Sequence, residues 1–119
     1  MLSGKTDTIG FTDNEVRYIL ERKLARIAMV SSGQEPHIVP VTYEFDGSCF
    51  YLSGWNIKYG PRFTEMQPTG RVSMLIDDLT TANLWVPRGI EVTGRAETQE
   101  RGELHYLKII PVSKTSWGL

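Results

Sequence analysis

The side chains best equipped for chemistry lie in one stretch, YLSGWNIKYGPRF, at residues 51–63. It starts like a strand at Tyr51 and Leu52, then meets Ser53-Gly54, and Gly60-Pro61 stops any strand from continuing. A phosphate needs backbone N–H groups at a turn, a hydroxyl and cations. Ser53, Asn56, Lys58 and Arg62 supply such groups, Gly54 and Gly60 let the backbone come close, and Trp55 offers a flat apolar wall. The same residues equally suit a surface loop with solvated cations. Local chemistry allows a phosphorylated aromatic ligand here, but the spacing names none.

Other chemistries find less support. The only histidines are His37 and His105, each alone on a strand-like segment, where a structural role is the commoner one. Asp77-Asp78 is a carboxylate pair that reads as a solvated turn at a strand end. No Walker or dinucleotide-binding glycine motif is present, so nucleotide binding of those kinds is not expected. The single cysteine, Cys49, lies within SCFYLSG and is expected to be a small packed hydrophobe. With one cysteine there is no intrachain disulfide and no multi-cysteine metal site, so a reducing, cytoplasmic setting is expected and no metal.

The elements that must position these groups follow from periodicity. In FTDNEVRYILERKLA, Thr12 and Glu15 have capping-box spacing, and Phe11 and Val16 have that of a hydrophobic staple. Val16, Ile19, Leu20 and Leu24 fall on one helical face, with Asp13 and Glu15 near the start and Arg22 and Lys23 near the end. The period then drops to two. Strands are predicted at 25–31, 37–45, in SCFYLSG, at 71–77, 84–98 and 104–112. Residues 32–36 and Asp46-Gly47 are turns, and 61–67 suits a short helix. Pro40 requires a bulge or an unpaired edge. One helix followed by about six strands and short turns indicates an antiparallel barrel or sandwich.

The chain has 119 residues, which suits one domain: a loose lead-in over 1–10, then 11–119. Thirteen basic residues against fourteen acidic, net charge −1, argue against a nucleic-acid binder, and no apolar run reaches the ~18 residues of a membrane span.

Five segments in order carry a resemblance: ARIAMVSSGQEPHIVPVTYEFDG, FYLSGWNIK, GRVSMLIDDL, WVPRGIEVTGRAE and KTSWGL. From about Phe11 to Leu119 the chain resembles the split β-barrel flavin and deazaflavin oxidoreductases, the pyridoxamine 5′-phosphate oxidase superfamily. It is most similar to the small branch that uses coenzyme F420. The resemblance implies a mainly β fold, a six-stranded antiparallel split β-barrel with an N-terminal helix and a short helix after the third strand. It implies a homodimer with two cofactor sites at the interface. Val39, Pro40, Val41 and Thr42 would run beside the cofactor ring, their backbone groups at its polar edge. Ser53, Gly54, Trp55, Asn56, Lys58 and Arg62 would hold the phosphate and ribityl chain, and Pro87 and Arg88 would approach from the partner. The chain departs from the pattern at Tyr59-Gly60-Pro61, where relatives often carry more cations. Such a set suits the single phosphate of FMN as well as the longer acidic tail of F420. Trp117 would either wall the site or pack on the barrel. The implied reaction moves hydride to a small conjugated acceptor, with Tyr43, Tyr59, His37, Arg88 or solvent giving any proton. An FMN-dependent oxidase or reductase and a non-catalytic flavin-binding protein remain as alternatives.

Overall fold

The computed structural model describes residues 9–30, 33–53, 70–80, 85–102 and 104–119. The capping box forms as expected. Helix α1 spans Asp13–Glu21; Thr12 Oγ1 accepts the Glu15 N–H at 3.1 Å, and Glu15 Oε1 accepts the Thr12 N–H at 2.9 Å. Both bonds satisfy donors that a helix start leaves unpartnered. The helix ends sooner than its periodicity predicts. Arg22 is an extended C-cap, and Leu24 opens the first strand, so no basic residue lies in the last helical turn. Pairing with a neighbouring strand overrides helical preference from Leu24 onward. The buried helical residues are Glu15, Tyr18 and Ile19, while Leu20 and Leu24 are exposed.

Among the described residues seven strands follow: β1 Leu24–Val30, β2 Pro36–Thr42, β3 Glu44–Phe45, β4 Phe50–Ser53, β5 Arg71–Leu79, β6 Pro87–Arg101 and β7 Leu104–Trp117. Seven replace the expected six because the segment 37–45 breaks at Tyr43 into β2 and β3. The strands form one antiparallel sheet in the order β2-β1-β5-β6-β7-β4-β3. Its two edge strands are consecutive in sequence, and β2 lies against β4. The sheet therefore curls into a split barrel. The last strand is longer than expected, since KTSW continues β7 to Trp117. Pro87 opens β6 without interrupting it, and the ladder shifts register only at Thr93/Gly94. A side chain at Gly94 would strike the Ile110 carbonyl oxygen, its Cβ only 2.4 Å away, so that shift needs glycine. The expected short helix at 61–67 lies outside the described residues.

Strict alternation divides the sheet into two faces. Ile27, Met29, Val39, Val41, Phe50, Leu52, Met74, Ile76, Ile90, Val92, Leu107 and Ile109 point inward and are buried. Cys49 is also buried and free, and burial pushes its thiol pKa up. Tyr18 and Ile19 of α1 join this core. Phe11 meets Phe45 edge-on at 5.2 Å and Phe50 at 6.4 Å, closing the barrel beside the helix. Each large apolar side chain so buried contributes roughly 1.5–3 kcal/mol before conformational entropy is counted.

The start of α1 is fastened to β7 by a buried polar cluster. Glu15, 5% exposed, accepts from Lys114 Nζ and, at 2.7 Å, from Ser116 Oγ. Burial alone would raise the Glu15 carboxyl pKa, but Lys114, the Thr12 N–H and Ser116 outweigh it and hold it below its ordinary value. Glu15→Ala should therefore destabilise the fold by about 1–3 kcal/mol. Urea unfolding at neutral pH measures this; a loss under ~0.5 kcal/mol would reduce the cluster to an ordinary surface contact.

Candidate functional site

The expected site residues divide by the pleat of β2. Val39 and Val41 send their side chains into the core, whereas Ile38, Pro40 and Thr42 are exposed on the outer face. β2 is an edge strand, as Pro40 requires. Its register with β1 runs unbroken from Pro36↔Val30 to Thr42↔Leu24. Proline has no donor for that ladder, so the Pro40 position faces its backbone to the open side, and Ile38 and Thr42 do the same. The open edge thus offers the carbonyls of Ile38, Pro40 and Thr42 and the N–H groups of Ile38 and Thr42.

Two concavities flank this edge. On the outer sheet face, a groove of about 400 Å³ is lined by Arg26, Ile38, Ser73, Leu75, Glu91 and Trp117, among others. Past Thr42, a space of about 590 Å³ lies between the end of α1 and the β3–β4 hairpin, beside Lys23, Tyr43, Phe45 and Tyr51. The hairpin pairs Glu44 with Tyr51 and Phe45 with Phe50. β2 also lies close to β4, the strand that ends at Ser53. Two expected site segments are therefore neighbours. Gly54, Trp55, Asn56, Lys58 and Arg62, with Tyr59, lie outside the described residues.

Pro87 and Arg88 open β6, and Arg88 is committed within its own chain. Asp78 lies directly opposite it across the strands. Arg88 Nε donates to Asp78 Oδ1 at 2.8 Å and Nη2 to Oδ2 at 3.2 Å. Arg22 Nη2 adds a bond to Oδ2 at 3.1 Å, and the Tyr18 hydroxyl donates to Oδ1 at 2.8 Å. Both guanidiniums also stack over the Tyr18 ring, at 4.5 Å for Arg22 and 5.0 Å for Arg88. The hydrogen-bonded Arg88 guanidinium leads the effects that hold the Asp78 carboxyl at a pKa of about 2. Asp78 is thus an anchor within β5 and not the solvated turn expected from sequence. The single-sequence signal for it, Asp-Asp at a strand end, carries no record of partners ten and sixty residues away.

Tyr43 turns inward too. Its hydroxyl donates to the Ile19 carbonyl at 2.6 Å, and burial pushes its pKa well up, so it holds its proton firmly. His37 is half-buried on β2 opposite Met29. Among the described residues no group of three or more His, Cys, Asp and Glu side chains could hold a metal, and no helix is long and apolar enough to cross a membrane.

Trp117 lies opposite Gly89 in the β6–β7 ladder. A Cβ at Gly89 would come within 2.9 Å of the indole Cζ2 and 2.6 Å of the Ile76 carbonyl oxygen. Gly89 is thus a shelf for the indole, which walls the outer groove. Sequence alone left the role of this tryptophan open between walling the site and packing on the barrel; the indole packs over Gly89 and lines this groove.

Comparison with known proteins follows the architecture. No protein-family model matches the chain. A conserved hypothetical protein of Mycobacterium tuberculosis superposes with a TM-score of 0.74 at 17% identity, over 93% of this chain and 86% of that one. An FAD-binding protein of Mesorhizobium loti superposes at 0.71 and 16% identity, over 92% and 94%. A provisional pyridoxamine 5′-phosphate oxidase of Listeria innocua superposes at 0.67 and 18%, over 87% and 93%. The fold is the pyridoxamine 5′-phosphate oxidase-like split barrel. In sequence, a 5a,11a-dehydrotetracycline/5a,11a-dehydrooxytetracycline reductase of Streptomyces rimosus is 25% identical over 119 aligned positions, 92% of this chain and 84% of that protein.

Two outcomes test this split barrel. Gly89→Ala should destabilise it by roughly 1–3 kcal/mol through overpacking and shift the tryptophan emission, because the indole must move. An unchanged melting temperature and spectrum would show that Trp117 does not rest on Gly89. The pKa of Asp78 is lowered on folding, from 3.8 to about 2. Its contribution is therefore fully present above the ordinary carboxylate range and is lost as pH falls from about 4 toward 2. Thermal melts of wild type and Asp78→Asn should converge across that window, and curves that stay parallel would rule out a stabilising role for the carboxylate.

Proposed function

We propose that this protein is an oxidoreductase that binds coenzyme F420, with FMN as the second reading, and passes hydride to a small conjugated acceptor. The observation that carries it is the alignment of a reductase with 92% of this chain, on a fold it has in common with FAD-binding proteins. The working unit is a homodimer in the cytoplasm. The outer groove fits the flat part of such a cofactor. It is apolar, Trp117 stands at one side, and the open edge of β2 brings carbonyls and N–H groups of the kind a ring with a polar edge needs.

When bound, the cofactor would supply two-electron hydride chemistry at its ring. The chain's part is binding, orientation and exclusion of water. Thr42 and the neighbouring backbone of β2 would orient the ring. Ser53, Gly54, Trp55, Asn56, Lys58 and Arg62 would take the phosphate and its chain. Arg88 is held by Asp78, so in this reading it fixes the start of β6 at Pro87–Gly89 beside Trp117 and leaves the phosphate to Lys58 and Arg62. With so few cations for the tail, FMN stays a serious rival. Tyr43 keeps its proton on Ile19, so a proton for the acceptor comes from solvent, His37 or Tyr59.

Absorbance of the purified protein and quenching of tryptophan emission by each cofactor test the reading. F420 should bind more tightly than FMN; tightly held, releasable FMN would reverse that order. Binding of neither below about 100 μM, roughly 5.5 kcal/mol, would remove the redox reading. Lys58→Ala should weaken binding by about 1.5–3 kcal/mol, the range for a charged hydrogen bond. An unchanged affinity would return the segment to an ordinary solvated loop.

A further inference from the structure

The space of about 590 Å³ between the end of α1 and the β3–β4 hairpin has cations along one wall that the rest of the chain leaves underused. Arg22 and Lys23 line it on the helix side, Thr42 at the end of β2, and Phe45 and Tyr51 on the hairpin side. Lys23 is exposed and makes no hydrogen bond or ion pair with a described residue. Arg22 gives Nη2 to Asp78 at 3.1 Å, but Asp78 is already shared with Arg88 and Tyr18. Its Nη1 pairs only loosely with Glu21, 3.8 Å away. Its Nε is the one buried side-chain polar atom among the described residues that has no partner. One carboxylate thus serves two guanidiniums, and the surplus positive charge lies behind the helix wall of the space. The one acid among the described lining residues, Glu44, is exposed and belongs to the hairpin side, opposite Tyr51 in the ladder. The space is therefore positive toward the helix and negative toward the hairpin.

Its place along the chain matters as much as its charge. Thr42 lines the space and ends β2, whose open edge borders the outer groove. Tyr51 lines it too and belongs to β4, the strand that ends at Ser53. A ligand with its ring in the groove and its phosphate at Ser53 has this space within reach of its far end. The segment Tyr59-Gly60-Pro61 carries no cation, so an acidic tail has to find partners elsewhere. We infer that the space beneath α1 receives the acidic tail of the bound cofactor, with Lys23 as its direct partner and Arg22 adding charge behind it. This inference rests on the F420 reading above and names the residues that would favour F420 over FMN, which ends at a single phosphate. A tail carboxylate would give Lys23 the anion it lacks and offset the surplus charge at Arg22. Leu20, which is 60% exposed, Phe45 and Tyr51 offer the carbon chain of the tail an apolar wall.

Binding, not turnover, tests this. Quenching of tryptophan emission is titrated with F420, with the same deazaflavin cut back to its ring and ribityl chain, and with FMN, on wild type and on Lys23→Glu. Lys23 is exposed, so the variant should fold, and an unchanged melting temperature without ligand checks that. Lys23→Glu should raise the dissociation constant for F420 at least about fivefold at low salt and leave the other two within about twofold. The milder Lys23→Gln should show the same order with a smaller change. Salt gives a second measurement that needs F420 alone. The affinity of wild type should fall with rising salt more steeply than that of Lys23→Glu, and the two should converge near about 0.5 M, where exposed charges are screened. Equal losses for F420 and FMN would put Lys23 at the phosphate, and no loss with parallel salt curves would put the tail elsewhere. Either result overturns this inference while the F420 reading stands. A wild type that does not bind F420 overturns that reading and this inference with it.

Discussion

One carboxylate fixes the relation between helix and barrel. Asp78 collects Arg88 from β6 and Arg22 and Tyr18 from the helical segment. Two cations share one anion, and the Tyr18 ring between them takes up part of the excess positive charge. The arrangement sets the end of α1, the end of β5 and the start of β6 in one frame. The far end of α1 is held by Glu15 on Lys114 and Ser116 of β7. A nine-residue helix is too short to persist alone in water, so its position is owed to these two clamps and to Ile19 in the core.

Neither clamp draws on the outer sheet face. Inward side chains are consumed by the core. Outward ones are small or apolar near β5, charged one strand away, and aromatic at Trp117. The β2 edge lies between the groove on this face and the space below α1, so a ligand with a flat ring and a polar tail would meet two different environments along one strand.

The fold was legible in the sequence because local patterns carried it. Thr12 and Glu15 announced the helix start, and alternation announced the strands. Pro40 announced an edge, and Asp46-Gly47 a hairpin. What was missed depended on partners distant in the chain. Leu24 has the right spacing for the helix but is claimed by Thr42 in the β ladder. Asp78 looks like a turn residue until Arg88 and Tyr18 arrive. Glu15 has a complete role in its capping box, so nothing hints at its second role with Lys114. Of the candidate site, the types of residue along β2 and at Pro87-Arg88 were readable. Their orientation was not, because the commitment of Arg88 to Asp78 and the inward turn of Val39, Val41 and Tyr43 come from pairing in three dimensions.

The two prolines of β2 have a consequence for how this molecule meets others. An edge strand invites any passing extended chain to add itself, which is the usual start of aggregation. Pro36 and Pro40 both belong to the set whose backbone faces outward, and neither has a hydrogen to give. A foreign strand laid along this edge would find two of its four donor positions blank and would bond poorly. The carbonyls stay available to a small molecule that needs only a few of them. The edge is therefore closed to polymerisation while open to a ligand.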